Sequence, residues 1–347
     1  MMSTRTTPTI KDIAAVAGVS HQAVSIALSD RPGVSAKRRQ QIRDLAQEMG
    51  YYPHAASQML NRAGRGTGQW GLLVATTPSV AASNYGLGIA VSAFAQYCCE
   101  HDQRYVVEYY PADQTEADFQ PPHQVAGRLV DGSLVIGDVG DRLRHWLDDQ
   151  TQYPWVSMLE QAKFCVLSAE HRTTYAALKE LIKLGHRRIA CPTGEVKHLS
   201  HRLRLAAFRH AVRHFKLTIP NKWQIFLSED SAQRYQWAHQ ILKLKNRPTA
   251  IVCQGDAMAR IVILVAAELG LRVPRDLSVI SYSSPEVAHA GYPCLAGIHT
   301  NWAALTEAAV DLLKQRINGV DDQISEPHRW ILPYRFDGQS VAPPNGG

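Results

Sequence analysis

The stretch Thr9 to Leu28, TIKDIAAVAGVSHQAVSIAL, decides the fold of the N-terminal part of this chain. Ile13, Ala14 and Ala17 recur at helical spacing and would bury one face, and Thr9 with Asp12 offers a capping box, so the spacing predicts a helix from about Ile10 to Ala17. Gly18 stands where a helix end turns into the left-handed region, which glycine enters without the steric penalty that a Cβ brings. Ser20 can accept hydrogen bonds from the first free amides of a second helix, expected over Ser20 to Leu28. Val24, Ala27 and Leu28 form the inner face of that helix, and small Ala14 and Ala23 let the two helices approach. His21, Gln22, Ser25 and Ile26 are left facing outward. Two short helices, a tight turn and a polar outer face make the pattern of a helix-turn-helix, whose second helix enters the major groove of DNA.

A third amphipathic helix is expected from a Ser35 cap to about Met49, with Ile42, Leu45, Ala46 and Met49 as its buried stripe. Lys37, Arg38, Arg39 and Arg43 then stand where phosphates could be met. A charged run on a helix is often only a solvated face, and the distribution of charge decides between the readings. Residues 1–66 hold nine Lys and Arg against four Asp and Glu, whereas the remainder holds 28 against 27. A fifth of the chain thus carries nearly all of the net charge of +6, the footprint expected where counterion release from DNA supplies affinity.

The motifs TIKDIA (9–14), AGVS (17–20), Val24-Ser25, Val34-Ser35 and Gly50-Tyr51-Tyr52-Pro53 together resemble the DNA-binding head of the LacI/GalR family of transcriptional regulators. That resemblance implies DNA contacts from Thr9, Ser20, His21, Gln22, Ser25, Ile26, Lys37, Arg38, Arg39, Tyr52, Ala56 and Leu60. It also implies a hinge helix over His54 to Asn61 that orders only on DNA, as suits a helix too short to persist alone in water. Leu60 matches the leucine that wedges into a central base step, and such a wedge unstacks and kinks the duplex.

At 347 residues the chain exceeds one ordinary domain, and its 45% hydrophobic content supports a sizeable core. Near its start there is no basic-then-apolar secretory pattern, and no apolar run approaches the roughly 20 residues that span a bilayer, so a cytoplasmic protein is expected, associated with the nucleoid when on DNA. Six cysteines without a CxxC pair read as buried free thiols, and the 15 scattered histidines give no metal signal. No cofactor or metal is expected. Neither a G-x-S-x-G, a Walker nor a strand-linked G-x-G-x-x-G pattern occurs, so an enzyme is not expected.

From Trp70 onward short apolar runs alternate with helical stretches, as a parallel sheet wrapped by helices requires. Strands are expected at 71–76, 104–110, 132–137, 155–159, 187–192, 250–254 and 277–283. The family resemblance continues through LGHRRI (184–189), RLAAF (204–208), Asp256, PRDLSVI (274–280) and Leu332-Pro333 with Ser340. The fold class it implies is a helix-turn-helix three-helix head with a hinge helix, followed by a two-lobed periplasmic-binding-protein-like (type I) α/β sensor. The domains expected are a head over 1–53, a hinge over 54–68 and a sensor and dimerisation domain over 69–347. Lobe one would be 69–165 plus 297–325, lobe two 166–296, and the last strand would cross back.

Open sheets of this kind bind ligands beyond the carboxyl ends of their strands. The resemblance places Asn84, Tyr85, Ser200, Arg204, Tyr282, Ser283, Ser284 and Thr300 in the effector cleft. Where sugar-binding members of the family use an arginine, an asparagine and an aspartate, this chain has Arg204, Gly255 and Ser283. Ser283 cannot offer two carboxylate oxygens to paired sugar hydroxyls, so the effector expected is a sugar derivative or another polar metabolite. Glutamine can bond adenine in pairs, so base readout is expected from His21, Gln22 and Ile26. A single head makes few base contacts, and a symmetric dimer on a palindromic operator follows. The function expected is a sequence-specific repressor of transcription, with double-stranded DNA, an effector and a second copy as partners and no membrane. The alternative is an effector-independent or architectural DNA binder. The tail APPNGG is expected to be disordered.

Overall fold

The computed structural model describes residues 8–28, 32–49, 51, 66–77, 85–111, 114, 118–150, 153–196, 198–228, 230–291 and 293–345. Two compact units divide between Thr67 and Gly68. In the first, helices α1 (Ile10–Ala17), α2 (His21–Leu28) and α3 (Ala36–Glu48) follow one another. Thr9 closes the expected capping box with Asp12, and Gly18 takes φ 62° as the left-handed residue that ends α1. Ser20 Oγ accepts the Ala23 amide at 3.1 Å, and Ser35 Oγ accepts the Arg38 amide at 3.4 Å. Ile13, Ala14, Val24, Ala27, Ile42 and Ala46 form the buried core, with Leu28, Leu45, Met49 and Tyr51 packed around it. The hinge expected over 54–61 lies outside the described residues.

The second unit holds two sheets. The first has the order β10-β5-β4-β3-β1-β2, all parallel: β1 Gln69–Ala75, β2 Arg104–Tyr109, β3 Gly132–Gly137, β4 Trp155–Met158, β5 Cys165–Ser168 and β10 His328–Ile331. Side chains alternate across a strand, so Leu72, Val74, Leu134 and Ile136 meet Phe94, Leu305 and Leu313 on one face. Leu73, Ala75 and Val135 meet Tyr110, Leu143 and Leu147 on the other. The second sheet has the order β11-β9-β8-β7-β6: β6 Ile189–Ala190, β7 Ala250–Cys253, β8 Ser278–Tyr282 and β9 Ala296–His299 run parallel, and β11 Tyr334–Phe336 is antiparallel to β9. Its core gathers Leu178, Phe208, Trp237, Val262 and Ile280. No helix among the described residues is long and apolar enough to cross a membrane.

Several expectations shift. The lobe boundary placed at 165/166 falls at the start of β5, which belongs to the first sheet, and Ala296–His299, assigned in part to lobe one, belongs to the second. A short strand read alone does not reveal which sheet it joins, because its neighbours are supplied by distant sequence. The strand expected over 187–192 is only two residues long: Pro192 has no amide to donate, and Cys191 and Thr193 donate instead to Trp223 and Ile225. The tail is not disordered through Asn345. Ser340 is fully buried and joins the Val279 carbonyl, at 2.6 Å, to the Ala296 amide, at 2.8 Å. Buried His186 spans Thr249 and the Ala342 carbonyl. Of the cysteines, Cys99 is exposed and Cys294 half-buried, contrary to the uniform burial expected, and none is bonded to another among the described residues.

Candidate DNA-reading surface and effector cleft

On the head, α2 turns Val24 and Ala27 into the core and leaves His21 and Gln22 exposed. Ser25 is half-buried. Ile26 is half-buried as well and leans on the loop before α3, where a Cβ placed on Gly33 would lie 3.6 Å from Ile26 Cδ1. Three expected DNA contacts have tasks in the fold itself. Thr9 is bound to Asp12 through both its amide and its hydroxyl, each at 2.7 Å, and those bonds hold the Asp12 carboxyl below its ordinary range. Ser20 caps α2, and its hydroxyl hydrogen stays available for a phosphate. Arg38 donates to Gln41 at 3.1 Å and to the Ala17 carbonyl at 2.7 Å, closing the open C-terminal end of α1 from α3. Lys37 is exposed and Arg39 half-buried. Tyr52, Ala56 and Leu60 lie outside the described residues.

In the sensor, the carboxyl ends of the second sheet's strands deliver the candidate cleft residues. Tyr282 ends β8, Gln254 follows β7 and Thr300 follows β9, while Arg204 stands on the helix Leu199–His214. Arg204 Nε donates to Glu170 Oε2 at 2.8 Å, and Arg204 Nη1 donates to the Gln254 carbonyl at 3.0 Å. Its guanidinium lies 3.4 Å over the Tyr282 ring, the cation–π arrangement that arginine's weakly hydrated plane favours. Tyr282 Oη is hydrogen-bonded to Thr174, and burial pushes its phenol upward. Thr300 donates to Glu170 Oε1 at 3.4 Å. The single Ser283 hydroxyl hydrogen is shared between the Ser284 carbonyl, at 3.0 Å, and the Asp256 carboxyl, and Ser284 caps the short helix that follows. Ser200 is half-buried, four residues before Arg204 on the same helix. Asp256, next to the extended Gly255, has its carboxyl raised by burial and partly offset by a hydrogen bond from Ser283.

The structure therefore brings Arg204, Tyr282 and Thr300 into one cluster. Asn84 and the Tyr85 side chain lie outside the described residues, and Tyr85 opens the helix Tyr85–Glu100 rather than sitting in a loop. Two cleft residues were not legible in the sequence. Glu170, 1% exposed, is the carboxylate partner of Arg204, and its only signal is an acidic residue in the first turn of the helix Glu170–Lys183. Glu160, between β4 and β5 of the first lobe, accepts the Leu199 amide at 2.9 Å, where a helix N-terminus favours negative charge. Its carboxyl is raised by burial, against the pull of that amide.

Residues 9–54 match the family described as bacterial regulatory proteins, lacI family, and residues 178–341 match a periplasmic binding protein-like domain. An HTH-type transcriptional repressor PurR of Klebsiella pneumoniae (strain 342) is 30% identical over 325 residues, covering 89% of this chain and 90% of that protein. The PurR repressor of Vibrio vulnificus (strain CMCP6) is 28% identical over 92% of this chain and 96% of its own length. Among solved structures, the lac repressor dimer bound to operator and the anti-inducer ONPF aligns at TM-score 0.81, with 22% identity, over 97% of this chain and 100% of that one. A CelR–cellobiose complex aligns at TM-score 0.68, with 21% identity, over 96% of this chain and 99% of that one. With such relatives across nine-tenths of its length, the chain belongs to the LacI family of bacterial regulatory proteins.

Proposed function

We propose that this protein is a cytoplasmic transcriptional repressor that reads a palindromic operator as a dimer and is governed by a small polar effector held between the sensor lobes. The observation that carries the DNA reading is the set of α2: a helix capped at Ser20 and packed through Val24 and Ala27, with His21 and Gln22 directed outward. In this reading His21 and Gln22 meet base edges, Ile26 adds an apolar contact from the part of its side chain that Gly33 leaves open, and Lys37 and Arg39 meet phosphates. Thr9, Ser20, Ser25, Arg38, Tyr52 and Ala56 fix the head against the backbone, and Leu60 is the wedge. The head ends near residue 53, the hinge near 68, and the sensor supplies the dimer surface. Arg204, with Ser200, Tyr282, Ser283, Thr300, Asn84 and Tyr85, forms the effector site.

The test is selection of bound sequences from a random duplex library at physiological salt, with the full chain. A palindrome with two half-sites is the expected result, and a flat, base-independent result replaces this reading with an architectural one. Gln22→Ala then relaxes preference at one position by about 1–3 kcal/mol, whereas Arg39→Ala weakens all sequences alike. One observation favours a second reading, regulation without a small molecule: Arg204 already has a carboxylate partner inside the protein.

A further inference from the structure

The bonds of Arg204 can be followed atom by atom. Its guanidinium has five N–H bonds. One goes to Glu170 Oε2 and one to the Gln254 carbonyl, while the stack on Tyr282 uses none. The other three N–H bonds have no partner among the described residues. Arg204 is 8% exposed and Glu170 1% exposed, so a ligand entering the cleft meets the outer edge of the arginine and not the acid behind it. The charge it meets is different from that of a lone arginine. Glu170 lies at 2.8 Å, almost fully removed from water, with its second oxygen on Thr300. A buried carboxylate at that distance neutralises the guanidinium, and a second carboxylate or phosphate on the same arginine would share one positive charge with it. Like charges so placed disfavour one another strongly when both are desolvated.

Resting on the cleft reading given above, we propose that Glu170 sets the charge of the effector: it occupies the anion's place on Arg204, so that the cleft takes an uncharged ligand rich in hydrogen-bonding groups and rejects carboxylates and phosphates. The three remaining N–H bonds of Arg204 serve carbonyl, hydroxyl or ring-nitrogen acceptors of that ligand. The strand end that gives its Gln254 carbonyl to Arg204 also holds two buried acceptors without a partner among the described residues, Gln254 Oε1 and Asp256 Oδ1. Gln254 gives its backbone carbonyl to Arg204, and Asp256 is reached by Ser283. This supply of acceptors suits a neutral molecule that also carries N–H or O–H donors. An ionised carboxylate, whose oxygens only accept, gives those acceptors nothing.

The test uses the full chain and inorganic phosphate as the probe, at constant ionic strength. The wild-type protein should show no saturable, phosphate-dependent rise in melting temperature. Glu170→Gln keeps the shape and removes the charge, and should gain such a rise, with phosphate bound at least about tenfold more tightly than by the wild type; the gain should vanish in the double variant with Arg204→Gln. Glu170→Ala, which opens a carboxylate-sized space, guards against a variant that folds poorly: formate should restore its melting temperature and leave the wild type unmoved. Glu170 is wrongly assigned if the wild type binds phosphate through Arg204 as well as Glu170→Gln does, or if neither variant responds to its anion. Operator occupancy, followed in the same samples, keeps the two proposals apart. Anion binding by the variants without any change on DNA would leave the role of Glu170 standing and count against the cleft as the regulatory site. Variants blind to anions, beside a wild type released from operator by a neutral metabolite, would do the reverse.

Discussion

The head and the effector cleft are built from bonds of very different reach. In the head, the caps at Thr9, Ser20 and Ser35 all join residues three apart in sequence, and even Arg38 reaches back only 21 positions to Ala17. In the cleft, Arg204 and Glu170 are 34 positions apart, Thr174 and Tyr282 are 108 apart, and Thr300 and Glu170 are 130 apart. The head is consequently a local object whose chemistry lies in one window of sequence. The cleft is a product of topology: segments far apart in sequence meet at the same strand ends of the second sheet, and the cluster exists only while that sheet is intact.

That contrast predicts that the two regions fail separately. The largest effect is expected from Phe208→Ala, which empties a fully buried position in the second lobe and should destabilise the sensor by about 3–5 kcal/mol. Denaturant unfolding followed by near-ultraviolet circular dichroism should show the loss in the sensor transition alone. A coupled loss in the head would break the comparison. Ser340→Ala should destabilise the same unit by about 1–3 kcal/mol, because it leaves the Ala296 amide buried without its acceptor; its readout is the shift of that transition's midpoint. In the head, Thr9→Ala should lose about 1 kcal/mol with the capping box, measured in the absence of DNA as earlier loss of the head's helical signal with the sensor's melting temperature unchanged.

Acidification sharpens the same contrast without any mutation. Burial drives the His201 imidazole down to about 3 from 6.5, and His186 shifts the same way. Below pH 6.5 the unfolded chain therefore binds protons that these two imidazoles refuse, and their contribution to sensor stability falls as pH falls from about 6.5 to 3, opposed at the acid end of that range by the raised carboxyls of Glu160 and Asp256. His201→Gln should flatten part of that slope. The head responds in a lower window. Asp12 is held below its ordinary value of 3.8 by Thr9, so its contribution is complete above that pH and is lost only as pH falls past it. Equilibrium melts between pH 7 and 3 should show the sensor weakening first.

The same difference in reach explains what the sequence could disclose. Helices α1 to α3 were legible within a residue or two because caps, a left-handed glycine and a 3.6-residue stripe are all local signals. Long central strands such as Gly132–Gly137 were legible for a similar reason, being continuous apolar runs between turns. The four-residue strands Ala296–His299 and His328–Ile331 carry no such run, and what makes them strands is the pairing of β9 with β8 and β11 and of β10 with β5; the apolar run Phe164 to Leu167 is too short to be told from a helix or loop segment by its pattern alone. A family motif marks Arg204. No such mark attends its counter-ion, because nothing local to Glu170 distinguishes a residue that meets an arginine from the next helix. The tail composition, Pro-Pro-Asn-Gly, signalled disorder, and the hydrogen bonds of Ser340 and Ala342 to a distant strand outweigh it.

The late segments that complete both sheets have a consequence for the birth of the molecule. The first sheet lacks an edge until residues 328–331 arrive, and the second lacks β11 and the Ser340 clasp until the chain is synthesised past residue 340. At roughly 5–20 residues per second, the head has its full set of contacts on the order of half a minute before either lobe does. During that interval a nascent chain presents a folded DNA-reading surface attached to a sensor that cannot yet respond, together with strands whose edges are unpaired. Translation speed through the second half of the message, and the chaperones that meet it there, would then matter to the yield of regulated protein far more than they matter to the yield of DNA-binding protein.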